Sequence, residues 1–256
     1  MDRWKGRVAL VTGASVGIGA TIAKELVRYG MTEVGCARSL DKIQALAVEC
    51  KNAGHSGVLI PMKCDLTNAE DIQSMFAIIK AQHKGVDVCI NNAGLAHNEP
   101  LLSGKTSAWK NMLDDKIQVC YTFLCVKTVC QVRNDLNYNF SCFILFSGVF
   151  GGNVGVVKFM SLCEAAVKSL KNPELTTVET KEADVHIRFL SISPGIVETE
   201  FAHRFYSETP DKATATYSQL KPLEAIDVAN AVVYVLSAPP HVQIGEMLLR
   251  PVEQQA

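Results

Sequence analysis

The sequence predicts an α/β fold that forms one domain, and two observations support this prediction. The segment from Arg7 to Thr12 is a short apolar run typical of a buried strand, a glycine-rich turn follows it, and residues 20–27 have helical periodicity. A chain of 256 residues with 48% hydrophobic content can bury one large core. We therefore expect a single domain that spans residues 1–256.

The glycine-rich turn from Thr12 to Gly19 reads TGASVGIG and connects the first strand to the first helix. Glycines at 13, 17 and 19 allow a sharp turn, leave room for a pyrophosphate and let the helix pack closely on the strand. The helix start offers free N–H groups and the positive end of its dipole. This arrangement predicts a nucleotide-phosphate site, whereas an ordinary glycine turn is the alternative.

Arg38 directly follows the second predicted strand, residues 33–37. In nucleotide-binding folds the residue at this place faces the adenosine ribose, where a carboxylate accepts from the 2′-hydroxyl and a guanidinium can hold a 2′-phosphate. Arg38 therefore favours NADP(H). The alternative is a solvated surface arginine.

The other predicted elements continue the alternation of strands and helices. A carboxylate, Asp65, follows the third strand, where it either accepts from the adenine amino group or caps the next helix. That helix, residues 69–83, is amphipathic, with Ile72, Met75, Phe76 and Ile79 on one face. Further strands are predicted from residue 58, at 86–90, from residue 142, and at 185–192 and 243–250, with helices at 41–52 and 225–238.

Four motifs resemble, together and in order, those of a short-chain dehydrogenase/reductase: TGASxGIG at 12–19, CDL at 64–66, NNAG at 91–94 and SPGIVET at 193–199. The resemblance implies a doubly wound, seven-stranded parallel sheet with helices on both faces and the cofactor over the carboxyl ends of the strands. It also implies hydride transfer from NADPH to a ketone, a steroid being one candidate. The expected partner is thus a small carbonyl or hydroxyl substrate.

The same resemblance implies a role for each matching position in the cofactor site. The phosphates would be bound by Gly13, Ser15, Gly17, Ile18 and Gly19, and the 2′-phosphate by Arg38. Adenine would lie between Asp65 and Leu66, and the riboses would contact Asn91, Ala93 and Gly94. The nicotinamide carboxamide would contact Pro194, Gly195, Ile196 and Thr199.

The central segment departs from the family at the residues that transfer the proton. The family uses a tyrosine four residues before a lysine, a serine about thirteen residues upstream, and an asparagine on an earlier helix. Ser147 matches the serine, but Met160 and Glu164 stand at the tyrosine and lysine positions and Lys116 stands at the asparagine position. A thioether has no dissociable proton, so we expect slow catalysis or none.

Three explanations of the segment from about residue 115 to 182 remain open. The chain is a pseudoenzyme that binds a nucleotide or a partner, an active reductase with an unusual proton donor, or a chain whose segment is not the natural one. Tyr217 and Lys221 also have the tyrosine–lysine spacing. They follow the SPGIVET motif, in the polar stretch from residue 203 to 222, and we interpret them as a chance match.

Composition excludes other classes of function. With 25 basic and 26 acidic residues the net charge is −1, which predicts no nucleic-acid surface. No stretch approaches the roughly 18–20 apolar residues of a membrane span. The six histidines have no metal-ligand spacing, and the nine cysteines include no C-x-x-C pair, so we expect no metal, reduced thiols and a cytoplasmic location.

An oligomer is a further expectation from the family. Members usually pair two long helices in a dimer interface, so the resemblance implies a homodimer or homotetramer. The apolar stretch at residues 119–130 is consistent with one such helix. Asn172-Pro173 would end the other helix, which weakens the expected interface.

Overall fold

The structure is a computed structural model that describes residues 1–94, 103, 105–108, 110, 139–145, 186–207, 209–218 and 220–254. Its strands are β1 Val8–Thr12, β2 Thr32–Ala37, β3 Val58–Lys63, β4 Val88–Asn91, β5 Asn139–Leu145, β6 His186–Pro194 and β7 Glu246–Leu249. The helices that we number are α1 Gly17–Arg28, α2 Leu40–Asn52, α3 Ala69–His83, α4 Glu200–Phe205, α5 Pro210–Ser218 and α6 Ala225–Ser237.

All seven described strands form one parallel sheet in the order β3-β2-β1-β4-β5-β6-β7. The chain builds outward from β1 to β3 and then returns to place β4 on the other side of β1. In such a sheet the strand order reverses between β1 and β4, and ligands bind outside the carboxyl ends of the strands at this point. The fold therefore locates a cleft beside Thr12 and Asn91.

Helices cover both faces of the sheet. Side chains of α1, α2 and α6 share one apolar cluster with β1, whereas α3 packs with β2 and β4 in a second cluster on the opposite face. The buried residues of α3 are the four predicted from its periodicity, namely Ile72, Met75, Phe76 and Ile79. The predicted doubly wound α/β fold with a parallel sheet is confirmed.

Strands β3 and β7 form the two edges of the sheet. Strand β3 runs through Pro61, which is tolerated because β3 is an edge strand whose outer side needs no ladder hydrogen bond. Strand β7 covers only Glu246–Leu249 of the predicted residues 243–250. At this edge the chain is paired on one side only, so few hydrogen bonds extend the strand.

Glu33 is a buried carboxylic acid in the centre of an apolar layer. It is fully buried in β2, on the same face as Gly35, which packs against Ala14 of the glycine turn and Ile43 of α2. Neither carboxylate oxygen finds a hydrogen-bond partner in the described part of the chain. Burial raises the pKa of Glu33 well above its ordinary value.

Glu33 is therefore expected to make folding depend on pH. Because the pKa is raised in the folded state, the stability is fully present below the unfolded pKa of about 4.3 and is lost as the pH rises through the folded pKa. The loss should approach about 1.4 kcal/mol per pH unit within that window. Urea unfolding of the unaltered chain and of Glu33→Gln at a series of pH values measures it; parallel curves for the two proteins would contradict the expectation.

Candidate cofactor site

The glycine turn has the backbone geometry that its sequence predicts. Gly13 and Gly17 have φ of +67° and +58°, a left-handed conformation that favours glycine. Helix α1 begins at Gly17 after Val16, whose backbone is extended, and no side chain in the described part of the chain caps this end. The first N–H groups of α1 are thus available to an anion.

Gly19 allows α1 to approach the two strand ends closely. A Cβ at Gly19 would collide with the carbonyl oxygen of Gly13 and with Nδ2 of Asn92, and a Cβ at Gly13 would lie 3.0 Å from Cα of Ala93. The turn after β1 and the segment after β4 therefore pack backbone against backbone. A larger residue at position 19 would separate the two walls of the cleft.

Thr12 and Asn92 connect the ends of β1 and β4. The hydroxyl of Thr12 accepts from the backbone N–H groups of Asn92 and Ala93, both at 3.0 Å. The Asn92 side chain donates to the carbonyl oxygens of Thr12 at 2.9 Å and Gly13 at 3.3 Å. Sequence reasoning assigned neither side chain a role. The only available signal was a polar residue at each strand end, where a buried group needs a partner.

Replacing Thr12 with valine should destabilise this junction. Valine keeps the shape but removes the hydroxyl, so the N–H groups of Asn92 and Ala93 lose their acceptor. The free energy of unfolding is expected to fall by about 1–3 kcal/mol, and Thr12→Ser, which retains the hydroxyl, should lose less. Denaturant titration compares the two variants, and a Thr12→Val protein as stable as Thr12→Ser would refute the assigned role.

Arg38 and Asp65 lie near one another at the ends of β2 and β3. Arg38 is exposed, and within the described residues no hydrogen bond or ion pair holds its guanidinium. The backbone N–H of Thr67 is the main cause that lowers the pKa of Asp65, and the Thr67 hydroxyl and the charge of Arg38 lower it further. A cationic group with free donors therefore borders the cleft on this side.

Asp65 does not cap α3, so that alternative is wrong. The cap is Asn68, whose side chain accepts from the N–H of Glu70 at 2.9 Å. Asp65 instead accepts from the backbone and hydroxyl of Thr67 at 3.0 and 2.8 Å. The turn formed by Asp65 and Thr67 carries the chain from β3 to the helix start, and it keeps the carboxylate at the edge of the sheet.

The other predicted cofactor contacts on this side of the cleft also lie near the carboxyl ends of the strands. Ser15 and Ile18 are half-buried in the glycine turn, and Gly94 is exposed just after β4. Asn91 is the last residue of β4 and is 1% exposed. Leu66 belongs to the apolar cluster of α3, so its side chain contributes to the core.

The loop after β6 reaches the glycine turn from the opposite side of the cleft. Pro194 ends β6, and Thr199 caps α4 by accepting from the N–H of Phe201 at 3.3 Å. A Cβ at Gly17 would lie 3.5 Å from Cβ and Cγ2 of Thr199. The residues from Gly195 to Thr199, which we call the β6 loop, therefore form a wall of the cleft beside the glycine turn.

Tyr217 and Lys221 do not share a helix. Helix α5 ends at Ser218, and Lys221 is exposed beyond it. The Tyr217 hydroxyl donates to the carbonyl oxygen of Thr199 at 2.9 Å and accepts from its N–H at 3.3 Å. These contacts favour a structural role for Tyr217 and support the interpretation of a chance spacing.

The four positions of the predicted proton relay lie outside the described residues. These are Lys116, Ser147, Met160 and Glu164. The loss of the relay therefore stays a prediction from sequence.

Comparison with known proteins identifies the family. A family model described as short chain dehydrogenase matches residues 7–210. The chain belongs to the short-chain dehydrogenase family. This short-chain dehydrogenase is 53% identical to dehydrogenase/reductase SDR family member 11 of Gallus gallus, over 99% of both chains. It is 49% identical to the protein of the same name from Homo sapiens, over 99% of this chain and 97% of the human one.

A solved structure agrees with this assignment. The closed form of a serine dehydrogenase complexed with NADP+ has a TM-score of 0.76 to this short-chain dehydrogenase, at 26% identity and over 97% of this chain and 96% of that chain. None of the described helices has the length and apolar character needed to cross a bilayer. The described residues also contain no group of three or more side chains able to hold a metal ion.

Proposed function

We propose that the chain binds NADP(H) and belongs functionally among the NADP(H)-dependent oxidoreductases of its family. The observation that carries the proposal is the start of α1 in the glycine turn, which no described side chain caps, together with the Arg38 guanidinium, which no described residue holds, at the carboxyl ends of β1 and β2. Free N–H groups suit a pyrophosphate, and a free guanidinium suits a 2′-phosphate. The serine dehydrogenase of similar fold is described as a complex with NADP+, which supports the same choice of cofactor.

The proposed cofactor site uses the residues that the family motifs nominate. Gly13 and Gly17 form the turn in left-handed conformations, and no described side chain caps the start of α1, so the N–H groups of the turn and helix can approach phosphate closely. The proposed ligands, in order from phosphates to nicotinamide, are Gly13, Ser15, Gly17, Ile18, Gly19, Arg38, Asp65, Leu66, Asn91, Ala93, Gly94, Pro194, Gly195, Ile196 and Thr199.

The proposed reaction is reduction of a ketone, with steroids among the candidate substrates. When bound, NADPH supplies the hydride, and the protein must supply a proton to the carbonyl oxygen. Ser147 can hold that oxygen, but Met160 carries no proton, and the carboxylate of Glu164 would disfavour a nearby phenolate. Turnover should therefore be slow.

A pseudoenzyme that binds a nucleotide or a partner is the second candidate, and the residues at 160 and 164 favour it. NADPH oxidation, followed by absorbance with a panel of ketones that includes steroids, separates the two candidates. Slow ketone-dependent oxidation supports the reductase, whereas a thermal shift with NADPH and no oxidation supports the pseudoenzyme. Neither oxidation nor a thermal shift would contradict both.

The remaining features are proposed on sequence grounds. We propose that residues 1–256 form one domain. The pattern of the cysteines is that of reduced thiols, which favours a cytoplasmic location. We also propose a homodimer or homotetramer with a weakened interface. Light scattering at several protein concentrations measures the oligomeric state. A protein that stays monomeric at high concentration would contradict the proposed oligomer.

A further inference from the structure

The β6 loop is held in place by two side chains that come from other parts of the chain. Gln254, in the C-terminal segment after β7, accepts with Oε1 from the backbone N–H of Ile196 at 3.0 Å. Tyr217, on α5, makes the two hydrogen bonds to the backbone of Thr199 described above. Gln254 thus holds the start of the β6 loop, and Tyr217 holds its end.

The C-terminal segment packs tightly enough to set the position of the loop. The Gly195 N–H donates to the carbonyl oxygen of Leu249 at 2.6 Å. A Cβ at Gly195 would collide with Oε1 of Gln254 and would lie 3.1 Å from Cδ of Pro251, which is itself buried. Gln254 therefore occupies the space that glycine leaves open, and the loop cannot move toward the segment without a clash.

The other side of the loop faces the glycine turn. Thr199 lies close to Gly17, because a Cβ added at Gly17 would be 3.5 Å from Cβ and Cγ2 of Thr199. The position of Thr199 therefore sets the width of the cleft at this point. We propose that Gln254 and Tyr217 are positioning residues, which hold the β6 loop at the distance needed to bind the nicotinamide half of the dinucleotide. The inference rests on the proposed NADP(H) site.

The test compares two ligands that occupy different parts of the site. NADP+ spans both halves, whereas 2′,5′-ADP carries only the adenosine half with its 2′-phosphate. Gln254→Leu removes the acceptor of the Ile196 N–H, and Tyr217→Phe removes both hydrogen bonds at Thr199. Each variant should raise the Kd of NADP+ about 3- to 10-fold and change the Kd of 2′,5′-ADP less than about 2-fold.

Matched variants separate positioning from general damage to the fold. Gln254→Glu keeps an acceptor oxygen, so its Kd for NADP+ should lie closer to that of the unaltered chain than the Kd of Gln254→Leu does. Gln243→Leu and Tyr234→Phe change the same residue types at exposed positions outside the site and should alter neither Kd. If Gln254→Leu does not fold, Tyr217→Phe, which removes a single oxygen, still provides the test.

Two results would overturn the inference. Unchanged NADP+ binding in both variants, or equal weakening of NADP+ and 2′,5′-ADP, would do so while the proposed function stands. Failure of the unaltered chain to bind either ligand would remove the proposed function and this inference with it.

Discussion

Replacing Met160 with tyrosine and Glu164 with lysine is expected to raise kcat for ketone reduction about 100-fold or more. The double substitution supplies a phenol that can protonate the carbonyl oxygen and an ammonium group that lowers the pKa of the phenol. A positioned general acid contributes about 10²–10⁴-fold, which sets the expected range. Steady-state kinetics of NADPH oxidation with a saturating ketone measures the gain.

The control replaces Met160 with phenylalanine together with Glu164→Lys. This variant has the ring and the ammonium group but no phenolic proton, so its kcat should stay near that of the unaltered chain. A double variant with tyrosine and lysine that gains nothing while it still binds NADPH would contradict the assignment of positions 160 and 164. Fast reduction by the unaltered chain would contradict it as well.

Arg38→Ala should raise the Kd of NADPH about 10- to 100-fold and leave the Kd of NADH within about 2-fold. The guanidinium is exposed and makes no hydrogen bond or ion pair with the described residues, so its donors are available to a 2′-phosphate at little cost. A hydrogen bond to a charged group contributes about 1.5–3 kcal/mol. Fluorescence titration of the bound dinucleotide measures both constants.

Two further variants define the role of Arg38. Arg38→Lys keeps the charge but loses the planar pair of donors, so its affinity for NADPH should fall between those of the unaltered chain and Arg38→Ala. Arg28→Ala removes an arginine at the far end of α1 that pairs with Glu25, and it should leave both affinities unchanged. Equal weakening of NADPH and NADH by Arg38→Ala would show that Arg38 does not bind the 2′-phosphate.

Local sequence patterns predicted the fold well because their physical causes are local. The apolar period of α3 selects Ile72, Met75, Phe76 and Ile79, and the structure buries these four residues. The spacing of Gly13, Gly17 and Gly19 predicted the turn, because only glycine adopts a positive φ or a close backbone approach without strain. Motif order was enough to identify the family.

Side-chain partners that are distant in the sequence were not predictable in this way. Asp65 was one predicted cap for α3, but the geometry of the turn assigns the cap to Asn68. Gln254 contacts Ile196, and Asn92 contacts Thr12, across separations that no periodicity describes. Glu33 lies in a strand whose remaining pattern is apolar, and its burial follows from the packing of α1 and α2 over the sheet.

Calorimetric titration of the unaltered chain with NADPH, and separately with NADH, tests the central claim most directly. The claim is that the glycine turn and Arg38 form a site for a phosphorylated nicotinamide dinucleotide. It predicts saturable binding of one NADPH per chain, with NADH at least about 10-fold weaker. No saturable heat with NADPH, or equal affinity for the two dinucleotides, would contradict it.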